Sequence, residues 1–289
     1  MRNKKEKIEK ILQNLKKGYQ SRYQTVIFDV DVIEKSDSEL VLKGEVLLPK
    51  QKKDIIERLQ GFSFQEQIKV LSNPKAKPIF GWGRVGRLTN IYRDPFQKEF
   101  TAQIVSSDIP FKIIHKKGNS YLIELWDLTL GWIEEKDIIK VETKNYWKGL
   151  KIAKKDRIAG SEASRDDIIK RAKSYLKVPY LWGGASREGI DCSDFVQRVY
   201  WEEAEIILPK HTLDQMKVGI QIDLENAKSG DLIFLRNKET KGRHVGIYVG
   251  ENKVIHSFRK ERKVVISNLG KLLEDYNLIS VNQIVNVKT

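Results

Sequence analysis

Apolar residues recur along the chain with changing periods, and the order of those periods divides it into three parts. Near the start, Ile8, Ile11, Leu12 and Leu15 fall at i, i+3, i+4 and i+7, the spacing of a helix with one buried stripe. Basic residues cover its outer face. Alternation then takes over. Val26, Phe28, Val30 and Val32 share one side of a segment, and Leu40, Leu42, Val46 and Leu48 follow in the same manner, so both predict half-buried strands. Ile55, Ile56 and Leu59 predict a second short helix, and Phe64 to Leu71 a third strand, for an order of α-β-β-α-β.

The stretch Asn73-Pro-Lys-Ala-Lys-Pro78 interrupts the pattern, and its two prolines mark a linker. From Pro78 to about Val141, short strands are predicted at Val85–Tyr92, Ala102–Val105, Pro110–His115, Tyr121–Trp126 and Gly131–Glu134. Such close spacing predicts a small β-barrel. A basic connector with Lys151, Lys154 and Lys155 leads to the last part. There Ser164, with Asp167 three residues on, forms a capping-box-like helix start. Ile168, Ile169, Ala172, Tyr175 and Leu176 supply the buried stripe, and Val178-Pro179 stops the helix. A second helix begins near Cys192 with Phe195, Val196, Val199 and Tyr200 inward. From Asp231 the chain reads as strands: Leu232–Leu235, His244–Val249, Val254–Phe258 and Lys263–Ser267. Helices first and strands after predict an α+β domain. The expected divisions are residues 1–75, 76–145 and 158–289, with no internal repeat and no low-complexity tract.

Composition supports this division. Two or three domains suit 289 residues, and 40% hydrophobic with 32% charged residues is a globular balance. No stretch approaches the roughly 18 apolar residues of a membrane span, so no transmembrane segment is expected. Met1 to Gln20 is basic without an apolar core, which leaves two expectations open: a cytoplasmic protein, or an envelope or secreted one whose export signal was trimmed. The net charge of +14 attracts polyanions. Candidates are anionic wall polymers, peptidoglycan carboxylates and acidic lipid head groups; the alternative is a solvated Lys/Glu surface of the kind seen in heat-tolerant proteins. Nucleic acid is not expected, since zinc-finger spacing, an RNP-like aromatic run and a clear recognition helix are all missing.

The chain has one cysteine and four histidines. Any thiol chemistry therefore belongs to Cys192, and an intrachain disulfide is impossible. A working thiol needs a base and something to orient that base. Cys192 lies in Gly189-Ile-Asp-Cys-Ser-Asp-Phe195, after a glycine-containing turn and at a helix start, where partial positive charge favours thiolate. The alternative for a lone cysteine is an inert buried residue. His244, in Arg243-His-Val-Gly-Ile-Tyr-Val-Gly250, and His256, in Val254-Ile-His-Ser-Phe258, sit on consecutive strands joined by a hairpin-length turn. The register between them is not set by sequence. In a sheet packed against the Cys192 helix, His244 could act as general base, with His256 holding its ring in one tautomer. His115 reads as structural or solvated. A zinc site made of Cys192, His244 and His256 is the rival reading, but paired-ligand spacings are absent, so no metal and no cofactor is expected.

Three resemblances add to this reading. The α-β-β-α-β order resembles a small BON-type domain, in pattern alone. Gly118-Asn-Ser-Tyr-Leu-Ile-Glu-Leu-Trp126 followed by Gly131-Trp132-Ile133 resembles the last strands of a bacterial SH3 (SH3b) domain. Trp126 and Trp132 are either ligand platforms or buried barrel aromatics, and the second reading is preferred. Val178-Pro-Tyr-Leu-Trp-Gly-Gly184, Asp191-Cys-Ser193, Leu208-Pro209, Gly230-Asp-Leu-Ile-Phe234, His244-Val-Gly-Ile-Tyr-Val-Gly250 and Ile255-His256 resemble the NlpC/P60 family, in its order and spacing, across about 120 residues.

The NlpC/P60 resemblance implies a papain-like α+β peptidase that cleaves the γ-D-glutamyl–diamino acid bond of peptidoglycan stem peptides or free muropeptides. By matching position it implies Cys192 as nucleophile, His244 as base and His256 as the orienting residue. It also implies that Tyr180 and the Cys192 N–H face the oxyanion, and that Asp191 and Ser193 contact the stem. The barrel-then-peptidase order resembles the branch that takes short muropeptides with a free L-Ala end, the barrel walling one end of the cleft. Asp94, in Tyr92-Arg-Asp-Pro95, matches one amine-binding carboxylate of that branch. The other position departs from the pattern: Pro209-Lys210 is followed by His211, which either touches substrate or caps the helix that Thr212 begins. Two further rivals are another papain-like amidase or acyltransferase and a non-catalytic wall-binding protein. The permuted acyltransferases place histidine before cysteine, against the order here, and the intact Cys/His/His set with Tyr180 speaks against a decayed peptidase.

Overall fold

The computed structural model describes residues 2–20, 26–36, 39–72, 78–105, 109–127, 129–142, 146–155, 159–160 and 163–286. Most of the expected linker, residues 73–77, and the expected division points at 145 and 158 lie outside the described residues.

In the first part the predicted order is present: α1 (Arg2–Gln20), β1 (Phe28–Ser36), β2 (Glu39–Val46), α2 (Pro49–Arg58) and β3 (Gln65–Val70). Ile8 and Leu12 of α1 are buried against Phe28, Val32, Leu42 and Ile55, as the helical spacing requires. Strands β1 and β2 pair antiparallel. Helix α2 carries the chain across so that β3 runs parallel to β2.

The second part has seven strands: β4 (Trp82–Val85), β5 (Thr89–Tyr92), β6 (Phe100–Ile104), β7 (Phe111–Lys117), β8 (Ser120–Glu124), β9 (Leu130–Glu134) and β10 (Ile138–Val141). They pair in the order β10-β4-β7-β8-β9-β5-β6. Among the described residues the two end strands do not pair with each other, so the expected barrel is present as a curved run of strands without closure. The single strand predicted over Val85–Tyr92 is two strands, separated by a bend at Gly86-Arg87; two apolar runs joined by a tight bend read as one alternation. Trp132 is 3% exposed and packs edge-on against His115, which leaves it no face for a ligand. His115 also has a partner. Its Nε2 lies 3.2 Å from Glu45 of β2, beside an apolar seam where Ile27, Leu47 and Leu71 meet Ile114, Leu122 and Trp132.

The third part is mixed α and β. Helices α3 (Arg165–Lys173) and α4 (Cys192–Ala204), with the short α5 (Thr212–Gln215), precede a six-stranded sheet. Its strands are β11 (Ile220–Ile222), β12 (Leu232–Asn237), β13 (Arg243–Gly250), β14 (Lys253–Phe258), β15 (Lys263–Asn268) and β16 (Tyr276–Gln283), with α6 (Leu269–Asp275) before the last. They are ordered β11-β16-β12-β13-β14-β15. Alternation along the central strands sorts the side chains by face. Phe234, Val245, Ile247 and Ile255 bury against Ile168, Phe195, Val199 and Tyr200 of the helices. Ile233, Leu235, Val254 and Phe258 bury against Leu269 and Leu272 of α6 on the opposite face. The expected start of α3 is present: Ser164 accepts from the Asp167 N–H while the Asp167 carboxylate accepts from Ser164.

Candidate active site

Helix α4 starts at Cys192 because Asp191, in extended conformation, caps it. One Asp191 oxygen accepts from the Asp194 N–H at 2.8 Å and from the Ser193 hydroxyl at 2.8 Å. The other accepts from the Gly183 N–H at 3.0 Å. Asp191 and Ser193 are both nearly buried, so their polar groups hold the turn before Cys192 together. Gly183 adopts φ +70. A Cβ there would sit 2.8 Å from the Thr101 carbonyl oxygen of β6, so a glycine is needed both for the backbone angle and for this close approach. The Gly183 carbonyl accepts from Gln103 N–H of β6 at 2.9 Å. The seven-stranded sheet is thereby hydrogen-bonded to the loop that the helix cap holds.

Around the Cys192 sulfur lie hydrogen-bonding groups from three segments: the Val245 N–H of β13, the Ser193 N–H of α4 and the Thr212 side chain at the start of α5. Cys192 keeps part of its surface exposed. Burial nevertheless pushes its thiol up to about 12, and the neighbouring Asp191 carboxylate adds to that rise, outweighing the three hydrogen bonds that favour thiolate. The helix start favours thiolate, but burial and the Asp191 carboxylate outweigh it here. At neutral pH the thiol keeps its proton, because a carboxylate and a poorly hydrated site oppose the negative charge.

Val245 follows His244, so the strand that reaches the sulfur also carries the imidazole. The register left open by the sequence is Ile247 opposite Ile255 and Tyr248 opposite Val254. It is held by a turn whose central residues, Glu251 and Asn252, have positive φ, as a tight hairpin requires. His244 and His256 thus share a face diagonally, and His244 Nε2 lies 2.6 Å from His256 Nδ1. Gly246 stands between them; a Cβ there would fall 2.5 Å from Val254 Cγ1 and 3.0 Å from His256 Cβ. On its far side, His256 Nε2 is 2.9 Å from the Ser267 hydroxyl of β15. Phe258 stacks on His256, and Phe258 and Tyr276 tilt against His244. Burial lowers His244 from 6.5 to about 4. Burial, and then His244, hold His256 well below the usual imidazole range. Both rings are neutral at neutral pH.

Tyr180 lies at the same corner. Burial raises its phenol pKa, with further contributions from Cys192 and Asp191, so it stays a hydrogen-bond donor. The 208–215 segment is clamped behind α4. Gln215 Nε2 donates to the carbonyls of Ser193 at 2.9 Å and Pro209 at 2.8 Å, and the Lys210 ammonium donates to the Asp194 carboxylate in a buried pair. Burial lowers the Lys210 pKa, but Asp194 and Asp191 together hold it above its ordinary value. His211 is exposed, at the cap position of α5, with no side-chain capping bond. Asp94 is placed in the turn between β5 and β6. Its oxygens accept the N–H groups of Phe96, Lys98 and Glu99 at 2.9–3.0 Å, so the carboxylate closes its own turn.

The 2.6 Å contact between imidazole nitrogens bears on the zinc reading. Two nitrogens bound to one tetrahedral zinc stand about 3.3 Å apart, so the 2.6 Å separation of this pair is that of a hydrogen bond. Among the described residues there is no group of three or more His, Cys, Asp or Glu placed to hold a metal. Sequence reasoning missed Val245, Ser267, Gln215 and the Lys210–Asp194 pair. Each acts through tertiary placement, and only Lys210, an unusual buried cation beside Pro209, left a local trace.

Comparison with known proteins gives the following. The sequence model described as NlpC/P60 family matches residues 177–282. Gamma-D-glutamyl-L-lysine dipeptidyl-peptidase of Bacillus cereus is 38% identical over 115 residues, covering 38% of this chain and 34% of that protein. Murein DD-endopeptidase MepS/Murein LD-carboxypeptidase of Escherichia coli K12 is 40% identical over 104 residues, covering 36% of this chain and 54% of that protein. The crystal structure of the NlpC/p60 domain of peptidoglycan hydrolase SagA is 28% identical with a TM-score of 0.36, covering 41% of this chain and 97% of that one. The chain thus spans about a third to a half of the length of these two curated relatives.

Proposed function

We propose, from the match of residues 177–282 to the NlpC/P60 family model, that the chain is a cysteine peptidase that hydrolyses the γ-D-glutamyl–diamino acid bond of peptidoglycan stem peptides or muropeptides. The observation that carries the reading is the relay behind the sulfur. A thiol at the start of α4 is hydrogen-bonded by the amide next to His244, and His244 is backed by His256 at 2.6 Å.

In this reading the resting pair is neutral thiol and neutral imidazole. His244 takes the thiol proton as sulfur attacks the γ-carbonyl carbon, and the carbon–oxygen double bond opens to an oxyanion. The Tyr180 phenol and the Cys192 N–H, which has no acceptor within the helix because it lies in the first turn, donate to that oxygen. Collapse expels the diamino acid amine, which receives the proton from His244. Water, activated by the same ring, then releases the γ-D-glutamyl product from sulfur. Thr212 and Ser193 orient the thiol, and Asp191 keeps the turn in place. Residues 76–145 act as an SH3b-type unit walling one end of the cleft, with Asp94 and His211 near the substrate's amino end, and the basic surface favours anionic wall polymer.

The name of the Bacillus cereus relative agrees with this bond; that of the Escherichia coli relative specifies others. Purified protein should therefore be assayed on the tripeptide L-Ala-γ-D-Glu-diamino acid and on intact cross-linked sacculi. Cleavage of the tripeptide at the γ-linkage, faster than release from sacculi, is expected. Cys192→Ala or His244→Ala should lower turnover about 1,000-fold or more. Preferential cleavage of a D,D cross-link would overturn the bond assignment, and retained turnover in either variant would overturn the mechanism.

A further inference from the structure

We infer that Ser267, through its hydrogen bond to His256, fixes the tautomers of both relay imidazoles and so leaves the right nitrogen of His244 free to take a proton. Ser267 is a positioning residue in this scheme, which rests on the reading of His244 as the base.

The argument is a proton count. Two neutral imidazoles hold one N–H each. His244 Nε2 and His256 Nδ1, 2.6 Å apart, share a single hydrogen between them, which permits two arrangements. In the first, His244 donates from Nε2, His256 accepts at Nδ1, and the hydrogen of His256 is on Nε2, aimed at Ser267 Oγ 2.9 Å away. His244 Nδ1 is then a bare lone pair, ready to accept the thiol proton. In the second, His256 donates from Nδ1 to His244 Nε2, its own Nε2 is bare, and His244 carries its hydrogen on Nδ1. That nitrogen then has no lone pair to offer, and the ring is useless as a base at the thiol.

His256 is fully buried, so its Nε2 depends on Ser267 for a partner. The Ser267 hydroxyl can accept from the N–H of the first arrangement or donate to the bare Nε2 of the second; in the inferred scheme it accepts. Ser267 is only half-buried, which lets its own hydroxyl hydrogen turn toward solvent while its lone pair faces the ring. Without that oxygen the first arrangement strands a buried N–H and the second only a lone pair, so the first loses ground to the second. Among the described residues, the rings also pack against Phe258, which offers no polar group, and Tyr276, the titratable side chain tilted against His244. Val265 stands opposite His256 on β15. The tautomer is thus decided at the end of the relay farthest from the sulfur.

Ring-nitrogen NMR of the full-length protein tests this without any turnover. With four histidines in the chain, single His→Gln variants assign the signals. At pH 7.5, His244 and His256 should both be protonated at Nε2, and Ser267→Ala should bring in the Nδ1-protonated form of His256. A wild-type spectrum with His256 protonated at Nδ1 overturns the inference. In kinetics, Ser267→Ala should lower kcat about ten-fold or more with KM unchanged, and Ser267→Thr, which restores the hydroxyl, should recover most of it. Ser267→Asp, an acceptor that also favours the imidazolium, should move the acid limb of the kcat/KM profile upward by about one pH unit; a merely structural role would lower activity without moving that limb. Full kcat in Ser267→Ala overturns the inference as well. Failure of the underlying reading looks different: His244→Gln would then keep turnover although the wild-type tautomers were as described.

Discussion

Two buried polar pairs flank the start of α4, and they solve the problem of burial in opposite ways. Towards the sulfur, His244 and His256 are neutral rings that share one hydrogen. On the other side of the same helical turn, Asp194 and Lys210 meet as carboxylate and ammonium, nearly sealed from solvent. Burial pushes Asp194 well above its ordinary value, and Lys210 opposes that rise only in part. In the proposed mechanism the neutral pair takes a positive charge only as the thiolate forms. The charged pair locks two segments together: α4 and the 208–215 stretch that brings Thr212 to the thiol. The proposed chemistry is thus placed where charge is absent at rest, and attachment where a buried ammonium meets a carboxylate.

Breaking the charged pair on one side is expected to have the largest effect on stability. Lys210→Met leaves Asp194 buried without its cation, and should lower the unfolding free energy by roughly 3–5 kcal/mol in urea titrations. The double variant Asp194→Leu/Lys210→Met should be more stable than the single one, since a matched apolar pair leaves no orphaned charge. A double variant no better than the single would mean that the pair is not where the stability resides.

The neutral pair should reveal itself through acid. A folded-state value of about 4 for His244 against 6.5 in the ordinary state means that the unfolded chain binds the extra proton first. The contribution is therefore intact above pH 6.5 and is lost as pH falls towards 4, by about 3 kcal/mol for this ring. Burial of Asp194 acts with the opposite sign, so the measurement is the difference between wild type and His244→Gln across that window. A difference that does not change with pH would show that the ring is not held neutral.

The smallest effect lies at the edge of the charged pair. Gln197 Nε2 donates to Asp127 at 2.9 Å, joining α4 to the segment after β8. Asp127→Ala should lower stability by about 1 kcal/mol and leave kcat unchanged; a large loss of kcat would place this contact in the catalytic machinery.

The difference between the two pairs also marks what was legible in the sequence. Helix starts were legible because capping is local: Ser164 with Asp167 and the Gly-containing turn before Cys192 need only their neighbours. The strands carrying His244 and His256 were legible from alternation, and the turn between them from its length. Their register was not, because it depends on backbone angles at Glu251 and Asn252 and on the missing side chain at Gly246. Nor was β16, whose alternation is broken by Asn277 and Asn282; Asn282 is buried and turned to the carbonyls of Met216 and Val218. Barrel closure in the second part was over-read, since strand spacing reports that strands exist and not which edges meet. The helix start at Cys192 and the Asp191 carboxylate beside it were both in view in the sequence, whereas the depth of the sulfur, the largest cause of its raised pKa, is a tertiary fact.

The seam between the seven-stranded sheet and the Gly183 loop rests partly on main chain, with Gln103 N–H bonded to the Gly183 carbonyl, and partly on side chains, with Gln103 Oε1 accepting from Ala185 N–H and Phe100 packed edge-on against Trp182. The main-chain part reads no side chain, so the surfaces on either side are free to diverge over evolutionary time without loosening it. Phe100, Gln103 and Gly183 have less of that freedom. Descendants of this architecture can vary what the neighbouring sheet recognises while inheriting the spacing between that sheet and the thiol.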